Sequence, residues 1–369
     1  MKIGFDAKRA FNNAAGLGNF SRRTIVTLAR QYPNDSYFLF NPGSKKPLFI
    51  APENSTEIKP DGFWNTFPNV WRSFRIAVKA KELKLDIYHG LSHELPFGIE
   101  KTGIKLVVTI HDLIYIRYPE YFQLIDRSIY DRKFRHACSV ATRIHAISSQ
   151  TKLDLISFFA IPEEKIEVIY QAINALFYRV CTEEQKLAVH AKYQLPRQFL
   201  LTVGTIEQRK NLIALLKGML FSKIELPLVV VGKPTHYMRQ VQQLIDQHPT
   251  NLKVFFLSEV DDADLHVLYQ SAVAMIYPSV FEGFGLPVAE AQAAGCPVIS
   301  SNTSSLPEAG GDGALYIHPG RPEEIGQAIR KLLEEPDLRE SLIAKGKVNA
   351  QRFTAANYAR HIKQLYNSL

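Results

Sequence analysis

The sequence has no apolar run near the ~18 residues that a membrane-crossing helix requires. Its start, MKIGFDAKRA, lacks the apolar core of a signal peptide and reads as a first strand. Cysteine is scarce. Cys138, Cys181 and Cys296 are far apart with no CxxC pair, which argues against a disulfide framework or a zinc site and for free thiols in a reducing compartment. A cytoplasmic location is expected. No GxSxG elbow, P-loop or Cys/His nucleophile arrangement occurs, so serine-hydrolase and P-loop chemistry are set aside. Short-period repeats and low-complexity segments are missing as well, which sets aside solenoids and disordered tails.

What is present is ample material for burial. The 369 residues are 46% apolar, long for one core and comfortable for two domains. The net charge of +8 is uneven. Residues 1–170 hold 24 Lys and Arg against 17 Asp and Glu, a net of +7, whereas the remainder nets +1. A basic first half suggests an anionic partner there, nucleic acid or an anionic membrane surface. No recognition helix or aromatic RNA motif accompanies the charge, so nucleic acid is not expected.

Short β-branched runs alternate with helical patterns. KIGFD (2–6), SYFLFN (36–41), LDIYH (85–89), KLVVTI (105–110), RIHAI (143–147) and IEVIY (166–170) read as strands, several apolar throughout, as in parallel sheets covered on both faces. Helical patterns fall at 18–30, 69–83 and 122–137. The alternation restarts with FLLTVG (199–204), PLVVVG (227–232), KVFFL (253–257), VAMIY (273–277), PVIS (297–300) and ALYI (314–317), with helices at 208–220, 235–247, 262–271 and 287–294. Two doubly wound α/β domains follow, with the boundary near 171–195 and ligands expected past the carboxyl ends of the strands.

The segment FEGFGLPVAEAQAAG (281–295) carries the sharpest signal. Glu282 precedes a Gly-x-Gly turn, Pro287 suits a first helical turn, and Glu290 lies about one turn in. The amides of Phe284, Gly285 and Leu286 then open a helix and favour an anion such as a diphosphate. Two carboxylates beside a phosphate need something else to face. Sugar hydroxyls fit, since a carboxylate accepts two adjacent O–H groups. A nucleotide with a sugar at both ends is the ligand this pattern suggests.

EGFGLPVAE resembles the E-x7-E motif of retaining GT-B glycosyltransferases of family 4. TIHDL (109–113), VGTIEQRKNL (203–212), AGLGNFSRRTI (15–25) and GCPVISSNTSSLPEAGGDGALYI (295–317) continue the resemblance in order over nearly the whole chain. It implies GT-B architecture, two Rossmann-like domains facing a cleft: an acceptor-side domain of residues 1–175 and a nucleotide-sugar domain of 176–353, with a last helix of about 354–369 returning to the first. It implies transfer of a sugar from a nucleotide donor with retained configuration and no bound metal or other cofactor. Lys210 matches the family's lysine. Thr205 stands where many members have an arginine, and Arg209 is the substitute. His111 resembles the active-site histidine, and a titration near neutral pH would permit proton transfer. Gly16 and Gly18 match a loop approaching the donor phosphate, and Gly232 borders the base. GTIEQRKN and SNTSSLPE look most like bacterial mannosyltransferases of polysaccharide assembly. GDP-mannose is therefore the favoured donor, with a glycan or polyprenyl-diphosphate-linked acceptor.

Three further stretches carry weaker signals. His89 and His93, in YHGLSHELP, are expected on a loop as an acceptor wall. Asp261 or Asp262 of VDDADL caps a helix rather than binding metal. FWNTFPNVWRSFRIAVKAK (63–81) spaces Phe67, Trp71, Phe74 and Val78 on one helical face beside basic residues, a pattern for either sheet packing or peripheral contact with the inner face of an anionic membrane. The rival readings are a UDP-sugar epimerase of the same fold and a non-catalytic nucleotide-sugar or polyanion-binding protein.

Overall fold

The structure, a computed structural model, describes residues 1–43 and 47–369. It divides into two units, Met1–Ala172 with Ala355–Leu369, and Ile173–Thr354.

The first unit is built on seven parallel strands: β1 (Lys2–Asp6), β2 (Ser36–Phe40), β3 (Ser55–Ile58), β4 (Ile87–Gly90), β5 (Lys105–Ile110), β6 (Arg143–Ala146) and β7 (Ile166–Val168). Their order is β3-β2-β1-β4-β5-β6-β7. The central strands are buried on both faces because helices cover both: in β5 only Lys105 is exposed. The order reverses between β1 and β4, and the crevice past their carboxyl ends is where such a sheet takes a ligand. The helix Ala355–Asn367 belongs to this unit, burying Tyr358, Ile362 and Leu365 in the core that holds Ile3, Phe5 and Tyr37.

The second unit repeats the plan with β8 (Leu200–Val203), β9 (Leu228–Val231), β10 (Val254–Leu257), β11 (Ala274–Tyr277), β12 (Val298–Ser301) and β13 (Ala314–Ile317), ordered β10-β9-β8-β11-β12-β13. Its reversal lies between β8 and β11.

Several elements differ from expectation. β3, Ser-Thr-Glu-Ile, is a polar edge strand without an apolar run to announce it. The helix Ser149–Phe159 is capped by Ser148, which accepts from the Thr151 amide, and Glu183–Lys192 carries a Thr182/Gln185 capping box inside the boundary segment. Residues 63–81 are not one helix: a 3-10 turn (Gly62–Thr66), a short α turn (Pro68–Val70) and a π turn (Trp71–Arg75) precede the helix Ile76–Glu82. The π turn breaks the 3.6 period, so the four apolar residues do not share a face. Trp71 is buried at 2% exposure, while Phe67, Phe74 and Val78 are exposed.

Candidate active site

At the reversal of the second sheet, Gly204 directly follows β8 and β11 ends in Tyr277. Gly204 has φ +139°, and the Lys210 side chain lies over it: a Cβ there would sit 3.3 Å from Lys210 Cε. The chain then makes a 3-10 turn, Gln208–Lys210, that presents both cations. Lys210 Nζ donates to Glu282 Oε1 and to the Tyr277 hydroxyl, each at 2.6 Å. Arg209 is 2.7 Å from Glu282 Oε2, donates to Phe281 O at 2.6 Å, and reaches Glu207 at 2.6 Å. Each oxygen of the buried Glu282 carboxylate therefore meets its own cation. Burial by itself would raise the Glu282 pKa. Lys210 and Arg209 outweigh that and hold it at about 2.

The loop bearing Glu282 is lashed from the segment after β12. Ser304 Oγ accepts from the Glu282 amide at 3.1 Å, Ser305 Oγ donates to Glu282 O and Phe284 O, and Thr303 donates to Val280 O. Gly285, at φ +112°, caps the helix Leu286–Ala293. Among the described residues, the Gly285 and Leu286 amides have no hydrogen-bond acceptor, and Pro287 has no N–H to offer. Phe284 is buried, its ring edge-on to Phe353 at 5.3 Å. Glu290 is half-buried on the same helix, 3.5 Å from the Tyr269 hydroxyl. Thr205 is exposed just after Gly204. Gly232 packs so tightly that a Cβ would fall 1.9 Å from Gly204 O, so its smallness serves the joint between the loops after β8 and β9.

Lys210, Arg209 and Glu282 thus form one cluster. The sequence pattern alone assigns Glu282 to sugar hydroxyls and does not show that it pairs with the two cations. Glu207, Tyr277, Ser304 and Ser305 complete the cluster and were not singled out from sequence. Such a group can steady charge developing on a leaving diphosphate while an ionised carboxylate accepts from hydroxyls.

In the first unit, Gly16 and Gly18 lie in the first turn of the helix Gly16–Gln31, not in a loop before it. A Cβ at Gly18 would strike Asn13 O at 1.8 Å, whereas nothing lies within 4 Å of one at Gly16. The Gly16 and Leu17 amides have no acceptor among the described residues, leaving an open helix start. His111 follows β5 and donates from Nε2 to Leu91 O at 3.0 Å, so Nδ1 carries the lone pair. Burial pulls its pKa down to about 4, which corrects the expectation of titration near neutrality: the ring is neutral and its Nδ1 is an acceptor.

His89 also departs from expectation. It lies within β4, fully buried, because the β4 pleat points it into the core. His145 Nε2 donates to Ile169 O (2.8 Å), Thr109 Oγ1 donates to His145 Nδ1 (3.0 Å), His89 Nε2 donates to Thr109 Oγ1 (2.8 Å), and Tyr366 donates to His89 Nδ1 (2.6 Å). The terminal carbonyl can only accept, which fixes every proton in the chain. His89 is thus a structural tie to the last helix rather than an acceptor wall. His93, at φ +65°, is buried on the face of Phe134 at 4.2 Å and 5.1 Å from the His111 ring. Asp261 caps the helix Asp262–Ser271 through the Asp264 amide.

Two parallel doubly wound sheets, each with its chemistry at the reversal, define a protein of GT-B architecture. Similarity to solved structures agrees: Anabaena Alr3699/HepE, solved in complex with UDP-glucose, superposes with a TM-score of 0.73 at 16% identity over 100% of both chains. Residues 22–175 match the family model Glycosyltransferase Family 4, and residues 185–349 match Glycosyl transferases group 1. The chain therefore carries a Glycosyltransferase Family 4 domain followed by a Glycosyl transferases group 1 domain. It is 29% identical to the O-antigen chain mannosyltransferase B of Escherichia coli over 100% of both chains. It is 27% identical to the O-antigen chain mannosyltransferase RfbU of Salmonella typhimurium, over 72% of this chain and 70% of that one.

Proposed function

We propose that this glycosyltransferase moves a mannosyl group from GDP-mannose, with retention, onto a glycan or polyprenyl-diphosphate-linked acceptor in polysaccharide or lipopolysaccharide assembly. The single observation that carries the chemistry is the Arg209–Glu282–Lys210 cluster beside the open amides of Gly285 and Leu286. Arg209 and Lys210 receive the diphosphate, and their fixed charges lower the barrier to its departure. Glu282 accepts from hydroxyls of the transferred sugar and Glu290 from the ribose. Gly232 borders the base, and His111 Nδ1 accepts from a sugar hydroxyl. The bond from the anomeric carbon to the phosphate oxygen breaks, and the acceptor oxygen bonds to that carbon from the same face. The acceptor's proton passes to the departing phosphate oxygen. No metal or other cofactor takes part, so a chelator leaves the rate unchanged.

The mannosyl donor and the polysaccharide setting are supported by what the relatives are named for. We assign the work to the cytoplasmic side of the membrane. Among the described residues no helix is long and apolar enough to cross it. The exposed Phe63, Phe67 and Val70, in the same segment of chain as the cations Arg75, Lys79 and Lys81, would supply a peripheral contact with an anionic surface. The test is a panel of nucleotide sugars scored for slow release of nucleoside diphosphate. GDP-mannose is expected to be hydrolysed, and Lys210→Ala to abolish the signal. A panel in which no donor is consumed and none raises the melting temperature would overturn the reading.

A further inference from the structure

Two unlike partners hold Lys210. Glu282 sits on the loop after β11, whereas Tyr277 is the last residue of β11 itself, a strand with β8 on one side and β12 on the other. Of the two, only Tyr277 is anchored in the sheet, and a side chain on a strand is placed more precisely than one on a loop. Tyr277 is buried. Lys210 Nζ lies 2.6 Å from its hydroxyl oxygen and 4.8 Å from the ring centre. A nitrogen above the ring face at the same distance from the oxygen would lie nearer the centre. The ammonium therefore meets the hydroxyl edge, and the oxygen holds it. Burial, and after it Glu282, pushes the Tyr277 pKa well up, so the phenol stays protonated and its oxygen is a neutral acceptor.

A second acceptor matters because the Lys210 side chain is largely buried. Burial lowers its pKa, Glu282 opposes the fall, Arg209 adds to it and Glu207 opposes it, and the balance stays below the ordinary 10.5. A hydroxyl oxygen at hydrogen-bond distance favours the charged form, since an ammonium bonds it more strongly than an amine does. An ammonium has three N–H donors. Glu282 and Tyr277 take two, and among the described residues Nζ meets no third acceptor. The third donor can pass to a phosphate oxygen while the other two stay in place. We propose that Tyr277 is a positioning residue of the transfer site, its hydroxyl being the neutral acceptor that fixes the Lys210 ammonium at the end of β11, beside Glu282, where the diphosphate departs. The transfer step rests on the sugar-transfer reading; the hold on Lys210 does not.

The test is Tyr277→Phe in the full chain, which keeps the ring and removes only the oxygen. Two quantities are read. One is kcat and KM for GDP-mannose hydrolysis as a function of pH. The other is the titration midpoint of Lys210, followed by NMR in protein labelled at lysine Cε and assigned by its loss in Lys210→Arg. Lys210 acts as a cation, so hydrolysis falls as pH rises through its pKa. Removing an oxygen that favours the cation moves the midpoint and the alkaline limb of kcat to lower pH by about one unit. It also lowers kcat about tenfold with KM unchanged, because the cation meets its full charge only as the diphosphate leaves. Tyr358→Phe removes another buried tyrosine hydroxyl, one paired with Thr24 at 2.9 Å, and leaves midpoint and limb where they are. An unmoved Lys210 midpoint in Tyr277→Phe, or a kcat that falls by the same factor at every pH, overturns the proposal. If the midpoint moves but the wild type consumes no nucleotide sugar, the hold on Lys210 stands and the transferase reading fails. If GDP-mannose is consumed and Tyr277→Phe keeps the wild-type midpoint and limb, the transferase reading stands and the proposal fails.

Discussion

Replacing Glu282 by Gln removes one buried negative charge from between Arg209 and Lys210, and the structure gives the size of the effect. The carboxyl is held at about 2 instead of its ordinary 4.5, a difference worth about 3 kcal/mol to the folded state at neutral pH. Removing one partner of a buried ion pair costs about 3–5 kcal/mol for an independent reason, the stranded charge. The two routes meet at about 3 kcal/mol, or about 6–12 °C in melting temperature for a unit of this size. A depressed carboxyl pKa stabilises above the unfolded value and loses that effect as pH falls through the folded one. The deficit of the variant is therefore constant from about pH 8 to 5, shrinks below about 4.5, and closes near 2. Urea denaturation of wild type and variant across that range measures it. Inorganic pyrophosphate restores part of the deficit, because it supplies the missing negative charge to Arg209 and Lys210. A deficit under about 1 kcal/mol at neutral pH, or one that stays constant into acid, would refute the placement of Glu282 between the two cations.

Other consequences are open to direct measurement. Tyr366→Phe leaves His89 Nδ1 buried without a donor and lowers stability by about 1–3 kcal/mol in urea denaturation. His111 and His145, each held near 4 by burial, favour the unfolded chain as pH falls from about 6.5 to 4; each lowers stability by about 3 kcal/mol over that window, visible as a falling urea midpoint. Gly232→Ala drives a Cβ into Gly204 O and destabilises by about 3 kcal/mol or more, read as a lost or early thermal transition. Lys210→Ala lowers kcat for donor hydrolysis by at least about 100-fold, a change that donor-consumption assays resolve readily.

The sheets were legible because their central strands are short, largely apolar and β-branched runs of parallel-sheet type. All six strands of the second unit lie where the runs predicted, while β3 was missed because its alternation is polar and its place is an edge. Glu282, Lys210 and Arg209 were legible from position, each just past a strand. Their mutual contact was not, since it depends on the αL turn at Asn211 and on Ser304 and Ser305 holding the loop, residues far away in sequence. Tyr277 carried a weak signal as the last residue of a strand beside the motif. Glu207 carried its own, as an acid two residues before an arginine. The π turn at Trp71–Arg75 shows no periodic signature, so Phe67, Trp71, Phe74 and Val78 read as one helical face, and nothing in the sequence marks Arg72 as the buried link between Asp6 and Glu94. His89 was misread because a histidine after an apolar run suggests a strand end. The buried chain that satisfies it uses Tyr366, 277 residues away.

The most direct test of the central claim is the anomer first released when the enzyme slowly hydrolyses GDP-mannose, followed by proton NMR faster than mutarotation. Single-face displacement at the Arg209–Glu282–Lys210 cluster predicts α-mannose first, with the β-anomer growing in later, and no mannose of either form from Lys210→Ala. Initial release of β-mannose, or undiminished hydrolysis by Lys210→Ala, would contradict the account.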